Sequence, residues 1–413
     1  MEIRMNSISR QKGAVIITVA MALLFLLGFM GLAMDFGHLF VVKTELQTAA
    51  DSCALAATQE LDNASDSILR ATSAGMTVGN LNNVNFQGAN AGFLAADITF
   101  SSALNGSYST TEPFATAKYV KCEKTRGGML PWLMQAMSAF SGNNVYKQPQ
   151  SVFALGVASR VPSQSNCALP IGICKPPAGT ILHTGEWIAG AANASGSVSG
   201  QFRWLDFTGN GGGARELKDV LRGEGQCKLP GNNTLVGKPG NNGSAAAAYN
   251  TRFGIYGGGY SSPADGIPDL TGYAWYKNAS ITQPPYPNKY PTFVTKRAVF
   301  TKYQGDNTAP DTTGLNTIGS IYGGSLSTAG ANRRIVPVPI IDCAAFDSLG
   351  STGTIKVDSV ACVLLLHPIA PGAGPGAKMW LEYRGAANAA NSPCTTFGLA
   401  GGSGGPLVPT LVR

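Results

Sequence analysis

The eight cysteines, Cys53, Cys122, Cys167, Cys174, Cys227, Cys343, Cys362 and Cys394, are the residues of this chain with the clearest chemistry. Thiols can pair, hold zinc or act as nucleophiles. Spacing disfavours zinc, because there is no C-x-x-C and no paired histidine. A thiol nucleophile needs an imidazole beside it, and the chain has three histidines, His38, His183 and His367. An even number of cysteines in an oxidising compartment points instead to disulfides. About 105 connectivities are open to eight cysteines. Cys167 with Cys174, around a Pro and a Gly, and Cys343 with Cys362, expected on adjacent strands, are the favoured pairs. Cys53, on the striped face of its helix, is a candidate to tie that helix to the head. Other motif-like strings do not hold together. Residues 401–405 spell G-x-S-x-G, but no strand precedes them and no helix follows. Residues 231–238 have glycines and a lysine in rough phosphate-loop order, with Pro239 where a hydroxyl should stand. No catalytic residue, cofactor, metal ligand or small-molecule substrate emerges, and the expectation is a non-enzymatic protein.

The elements that position these residues begin with an apolar run. Residues 13–34 carry no formal charge. As a helix they would be roughly 33 Å long, matching a hydrocarbon core of about 30 Å. Arg4, Arg10 and Lys12 precede the run against a single acid, Glu2. That bias predicts a cytoplasmic N-terminus (residues 1–12), a span over 13–34 and everything after it across the membrane. A cleavable leader would have a shorter apolar core and a polar start to the mature chain. Arg10, Lys12 and Asp35 are the expected membrane-interface residues, with the Asp35 charge kept solvated. The partner implied is a lipid bilayer. Charged residues make up only 13% of the chain, and the net +7 contains no dense basic run. Both facts count against a nucleic-acid binder and a charged disordered tail.

Beyond the span, residues 35–61 contain no proline and continue as a helix. Leu39, Val42, Leu46, Ala49, Cys53 and Ala56 recur at alternating spacings of three and four, which puts them on one face. That stripe either packs on the chain's own head or bundles with neighbouring helices, and the first is favoured.

The same residues resemble a known family. Arg10-Gln11-Lys12-Gly13, the apolar run, Gly31-Leu32-Ala33-Met34-Asp35-Phe36-Gly37, Leu46-Gln47-Thr48-Ala49-Ala50-Asp51 and Ala54-Leu55-Ala56-Ala57 are similar to the N-terminal segment of TadE/TadG-like proteins of bacterial tight-adherence (Tad, or Flp) pilus-assembly systems. The likeness covers about residues 10–58. Two later stretches, Trp204-Leu205-Asp206 with the glycines that follow, and residues 333–342, look like segments of longer TadG-like proteins. His38 stands where a basic residue is common in the family, Cys53 where Ala is usual, and Thr18 where prepilins carry Glu. The resemblance implies a protein of the bacterial inner membrane with a periplasmic head, contributing to pilus biogenesis and adhesion beside pilin or other assembly proteins. A minor pilin or tip adhesin that joins the fibre is the alternative, and Thr18 counts against it. Some long TadG-like proteins hold a divalent metal in a D-x-S-x-S string. The nearest counterpart here, Asp97-x-Thr99-x-Ser101, reads as an edge strand.

The rest of the chain predicts an α+β fold. Residues 62–80 read as a frayed helix end running into a loop. Strands are expected at 97–101, 117–122 and 151–158, with a short helix over 130–140, so that 62–160 form a small α+β module. Pro162, Pro170, Pro176 and Pro177 mark a boundary over 161–180. Residues 181–413 should form a loop-rich, mostly β, disulfide-bearing head with one helix at 214–222 and strands at 297–303, 335–341, 357–367 and 379–384. Its tyrosines between Tyr249 and Tyr303 either cap the β core, which is favoured, or form a contact surface.

Overall fold

The computed structural model describes residues 12–413 except 136–137, 139–141, 164–167, 192–201, 208–213, 224–232, 238–244, 277–287, 306–318, 351–352, 370–377 and 395–398. It divides the chain into two compact units, residues 1–159 with 409–413, and residues 160–408.

In the first unit one uninterrupted helix, α1 (Lys12–Gln59), contains both the apolar run and the striped segment. No proline or charge breaks the first part, and the second has the period of a helix with one buried face. The most apolar stretch of α1 has a mean hydropathy of 2.7 and is only 6% buried. Its side chains from Val15 to Met34 stand exposed nearly throughout, whereas Val42, Leu46, Ala49, Ala50, Cys53, Ala54 and Ala57 are fully buried. The helix therefore changes its surroundings close to Asp35.

A second helix, α2 (Ser67–Leu81), lies against α1 where the sequence reading expected fraying and a loop. Its buried positions, Ser67, Ala71, Gly75 and Gly79, are four residues apart and all small. The contact depends on close approach rather than apolar volume. A Cβ on Gly75 would lie 3.1 Å from the Ala57 Cβ and 3.2 Å from the Cys53 sulfur. A four-stranded sheet completes the unit, in the order Leu407–Leu411, β3 (Gln150–Pro162), β2 (Tyr119–Met129), β1 (Ile98–Ser101). β2 pairs antiparallel with both its neighbours. Ile98, Phe100, Val120, Ala154 and Ala158 meet the alanine face of α1 in one core. Residues 409–413 were expected in the head. They join this unit instead, because Val157 donates its N–H to Arg413 O and accepts from Val412 N. Of the helix expected over 130–140, the described residues show helical turns at Met134, Gln135 and Ser138.

The second unit is built on a six-stranded sheet. β4 (Ile171–Cys174), β5 (Trp187–Ala191), β6 (Phe202–Trp204), β7 (Ile335–Ile341), β8 (Ser359–Leu365) and β9 (Lys378–Ala386) lie in the order β5-β9-β8-β7-β4-β6. β7 and β4 run parallel, and the other pairs are antiparallel. Pro337 and Pro339 occupy this central strand although proline cannot donate to a ladder. β4 pairs with β7 only at Ile340 and Ile341, beyond both prolines, and Pro337 O still accepts from Leu169 N. The helix α3 (Ala214–Arg222) lies where expected. Residues 297–303, expected as a strand, instead include the end of a helix, Tyr290–Ala298. Pro291 presets its first turn, and Lys296 and Arg297 complement its C-terminal carbonyls. None of the described tyrosines between 249 and 303 is exposed, so they belong to this core; Tyr286 lies outside the described residues.

Arg334 sits at the centre of the unit, fully buried. Its guanidinium donates to Leu365 O, Leu366 O, Thr271 O and Tyr273 O, and it lies 4.4 Å from the Phe253 ring centre. Close by, burial drives the His367 imidazole from 6.5 down to about 4, helped by Arg334 and opposed by a hydrogen bond to Pro368 O. Between those two values the unfolded chain binds a proton that the native chain does not. Stability should be full above about pH 6.5 and fall as pH drops toward about 4, by on the order of 3 kcal/mol from this residue. Denaturant unfolding at pH 7 and pH 4.5 checks this. His367→Phe, which keeps the stack on Tyr276, should lose distinctly less stability on acidification than the wild type, and equal losses would contradict the assignment.

Candidate functional site

The site forms where α1 passes from exposed to buried surroundings. Asp35 is only 4% exposed. Its carboxylate accepts three consecutive main-chain N–H groups, from Trp132 (2.8 Å), Leu133 (3.0 Å) and Met134 (2.6 Å). This corrects the expectation of a solvated interface charge. A buried carboxylate is stable when charge-assisted hydrogen bonds replace its water, and an anion also suits the open N–H groups of the turn beginning at Met134. One turn earlier on α1, a Cβ added to Gly31 would lie 2.9 Å from the Leu133 Cβ. Only glycine at position 31 lets residues 132–134 lie so close to the helix.

One turn after Asp35, the His38 ring stacks on Phe86 at 5.1 Å and on Trp132 at 5.0 Å, and His38 Nε2 lies 2.7 Å from Asn85 Oδ1. Asn85, Phe86 and Gln87 all have positive φ, between 56° and 63°. Each non-glycine residue in that region costs roughly 1–2 kcal/mol. The turn is held by Glu45, which accepts from Phe86 N (3.1 Å) and Gln87 Nε2 (3.3 Å). Two loops, 85–87 and 130–134, thus converge on His38. Beside them Asp35, Phe36, Leu39, Met129, Leu130, Pro131, Met134 and Val145 line an open cavity of about 160 Å³.

The striped residues are distributed along the next turns. Val42, Leu46, Ala49 and Cys53 are buried, and Leu39 and Ala56 at the two ends are half-buried. Ala50, Ala54 and Ala57 are also buried because α1 touches both α2 and the sheet. Lys43 donates to Phe153 O and Gln47 to Leu155 O (2.7 Å), fixing α1 to β3. Lys12 is the first residue of α1, and Arg10 lies outside the described residues.

Three disulfides join described cysteines. Cys53–Cys122 links α1 to β2, so the helix is tied to the sheet of its own unit. Cys174 pairs with Cys343 and Cys362 with Cys394, which overturns both favoured pairings. In the ladder Cys362 stands opposite Pro337, six residues before Cys343. Cys174 stands opposite Ile341, close to Cys343 just past the strand end. Cys167 and Cys227 lie outside the described residues. Asp97, the carboxylate of the D-x-T-x-S string, forms an ion pair with Lys124 at 2.6 Å and accepts from Leu94 N. Among the described residues no three His, Cys, Asp or Glu side chains gather closely enough to hold a metal ion. Of the 231–238 string, residues 233–237 are described and end in a short strand, Leu235–Gly237, and the other three positions lie outside the described residues.

Comparison with known proteins places this geometry. Residues 13–66 match the Tad family model, described as "Putative Flp pilus-assembly TadE/G-like". Over these residues the chain is similar to that family. No curated protein and no solved structure matches the chain. The matched segment takes in the exposed apolar half of α1, the buried half, and the turn leading to α2, and it ends at the residue before α2 begins. Asp35, His38 and Cys53 all lie within it. Their partners, Trp132, Leu133, Phe86 and Cys122, all lie outside it. Sequence reasoning missed the partner loops. The available signal was the apolar string Leu130-Pro131-Trp132-Leu133-Met134, which read as the start of a helix.

Proposed function

We propose that the protein is a non-enzymatic, TadG-like pilus-assembly component anchored in the bacterial inner membrane by residues 13–34, with its N-terminus cytoplasmic and its head periplasmic. The supporting observation is that a single Tad helix is apolar and exposed through Met34 and then forms the core of its own unit from Val42 onward. Its function is positional. The helix fixes a disulfide-bonded head at the membrane face, within reach of pilin or other assembly proteins. From Val42 onward α1 gives its apolar stripe to its own sheet and to α2 and leaves exposed Lys43, Thr44, Thr48 and Gln59. That polar remainder suits a solvated helix face better than bundling with other helices.

The test is to detach the head from the membrane. In the organism that makes the protein, the chain from residue 35 onward is exported behind a cleavable leader in place of the native copy. Surface fibres are then counted by electron microscopy. Loss of most fibres, restored by the full-length chain, is the expected result. Wild-type fibre numbers with the detached head would refute a positional role.

A further inference from the structure

Around the Asp35 clasp lies an apolar surface that the first unit does not cover. Leu130, Trp132 and Leu133 are exposed, and so are Phe36, Phe40 and Val145. This surface is continuous with the apolar face of residues 15–34, because Leu133 touches α1 at Gly31. Gly31 lies four residues before Asp35, or roughly 6 Å deeper along the helix. With residues 13–34 in a bilayer, Leu133 stands level with the last turn of the span.

The backbone of this segment is also suited to that depth. Non-helical chain is tolerated in a membrane only where its polar groups find partners within the protein. Pro131 has no N–H, and the N–H groups of Trp132, Leu133 and Met134 all donate to Asp35. Four consecutive residues therefore present no free main-chain donor to lipid. Trp132, 66% exposed, is the residue type that favours the headgroup level, with an apolar ring and one polar N–H.

We infer that residues 130–134 are a second membrane contact, a wedge seated in the head-side leaflet of the bilayer that α1 spans. Trp132 lies in the headgroup region and Leu130 and Leu133 at the acyl boundary. The wedge holds the first unit at a fixed height and tilt on the membrane, which a single helix cannot do alone. It rests on the anchor reading of residues 13–34, so the test scores the two separately.

Full-length protein is reconstituted into phosphatidylethanolamine–phosphatidylglycerol vesicles, either plain or carrying phosphatidylcholine brominated near the headgroup end of its chains. Flotation at alkaline pH scores the anchor, and tryptophan emission scores the wedge. The other four tryptophans, Trp187, Trp204, Trp275 and Trp380, are buried in the second unit. Brominated lipid should quench a component on the order of one part in five, the share of one of the five tryptophans. Trp132→Phe and Trp132→Tyr should each abolish that component while still floating. Flotation without lipid quenching, with the exposed tryptophan quenched by aqueous acrylamide instead, would overturn the wedge and leave the anchor standing; that result would suit a protein partner on this surface. Quenching that survives both substitutions would also overturn it. A chain that does not float would overturn both readings.

Discussion

Asp35→Leu should strip the amides of Trp132, Leu133 and Met134 of their protection from hydrogen exchange. The wild-type carboxylate accepts all three N–H groups while buried between α1 and residues 132–134. Leucine has the same branched skeleton, with bulkier methyl groups in place of the oxygens, and offers no acceptor, so three donors lose their partner together. Hydrogen bonds to a charged group are worth about 1.5–3 kcal/mol each, and orphaned buried donors cost about 1–3 kcal/mol each. Because the loop can open to water rather than keep all three donors buried, the net effect should be about 4 kcal/mol, or roughly a thousandfold faster exchange. Asp35→Asn keeps one acceptor oxygen but places an NH2 against the remaining donors, so its exchange should fall between the two. Exchange followed by mass spectrometry on vesicle-held protein measures this at peptide level. Unchanged protection in Asp35→Leu would mean that the carboxylate does not hold the loop.

Arg334→Leu should unfold residues 160–408. Its guanidinium makes five hydrogen bonds to the carbonyls of Leu365, Leu366, Thr271 and Tyr273, which belong to two separate stretches of backbone around the strand start. Phe253, Phe293 and Trp275 lie within 5.7 Å of the cation. Buried Asp269 accepts the main-chain N–H groups of Arg333 and Arg334 and so fixes where the side chain starts. Burial lowers the Arg334 pKa to about 10, which leaves the side chain charged at neutral pH. Leucine would take the guanidinium donors from the buried carbonyls of Leu365, Thr271 and Tyr273, while Leu366 O keeps the Trp275 N–H at 2.9 Å; the loss should be about 5 kcal/mol or more, comparable to the whole stability of many domains. Arg334→Lys should be nearly as severe, because an ammonium cannot reproduce the planar fork. Limited proteolysis of the purified chain is the measurement. The variant should be cleaved throughout 160–408 at protease levels the wild type resists, while residues 35–159 survive around the Cys53–Cys122 bond. Wild-type resistance in Arg334→Leu would show that the cluster is dispensable.

The contrast between these two residues shows what the chain revealed before its structure was known. The helix α1 was legible because a charge-free run and a three-and-four spacing are local signals, and Val42, Leu46, Ala49 and Cys53 are buried as that spacing requires. The strands at 335–341, 359–365 and 378–386 were close to expectation for the same reason: apolar, β-branched runs declare themselves over a few residues. α2 was not legible, because Ala71, Gly75 and Gly79 stabilise it by letting backbones approach, and small residues carry no hydrophobic period. The Asp35 clasp depends on amides nearly a hundred positions away, and the Arg334 cluster on carbonyls 31 to 63 positions away. A side chain's type and its near neighbours say nothing about such partners. Disulfide partners failed likewise, since Cys174 and Cys343 are 169 residues apart and meet only because β4 and β7 pair in parallel.

Location tests the central claim most directly. Surface fibres are sheared from the cells that make the protein, inner and outer membranes are separated, and each fraction is probed for the head. The account predicts the full-length chain in the inner membrane, resistant to alkaline extraction and absent from the fibres. Recovery in sheared fibres, as a species shortened near Gly13, would contradict it and make the protein a minor pilin.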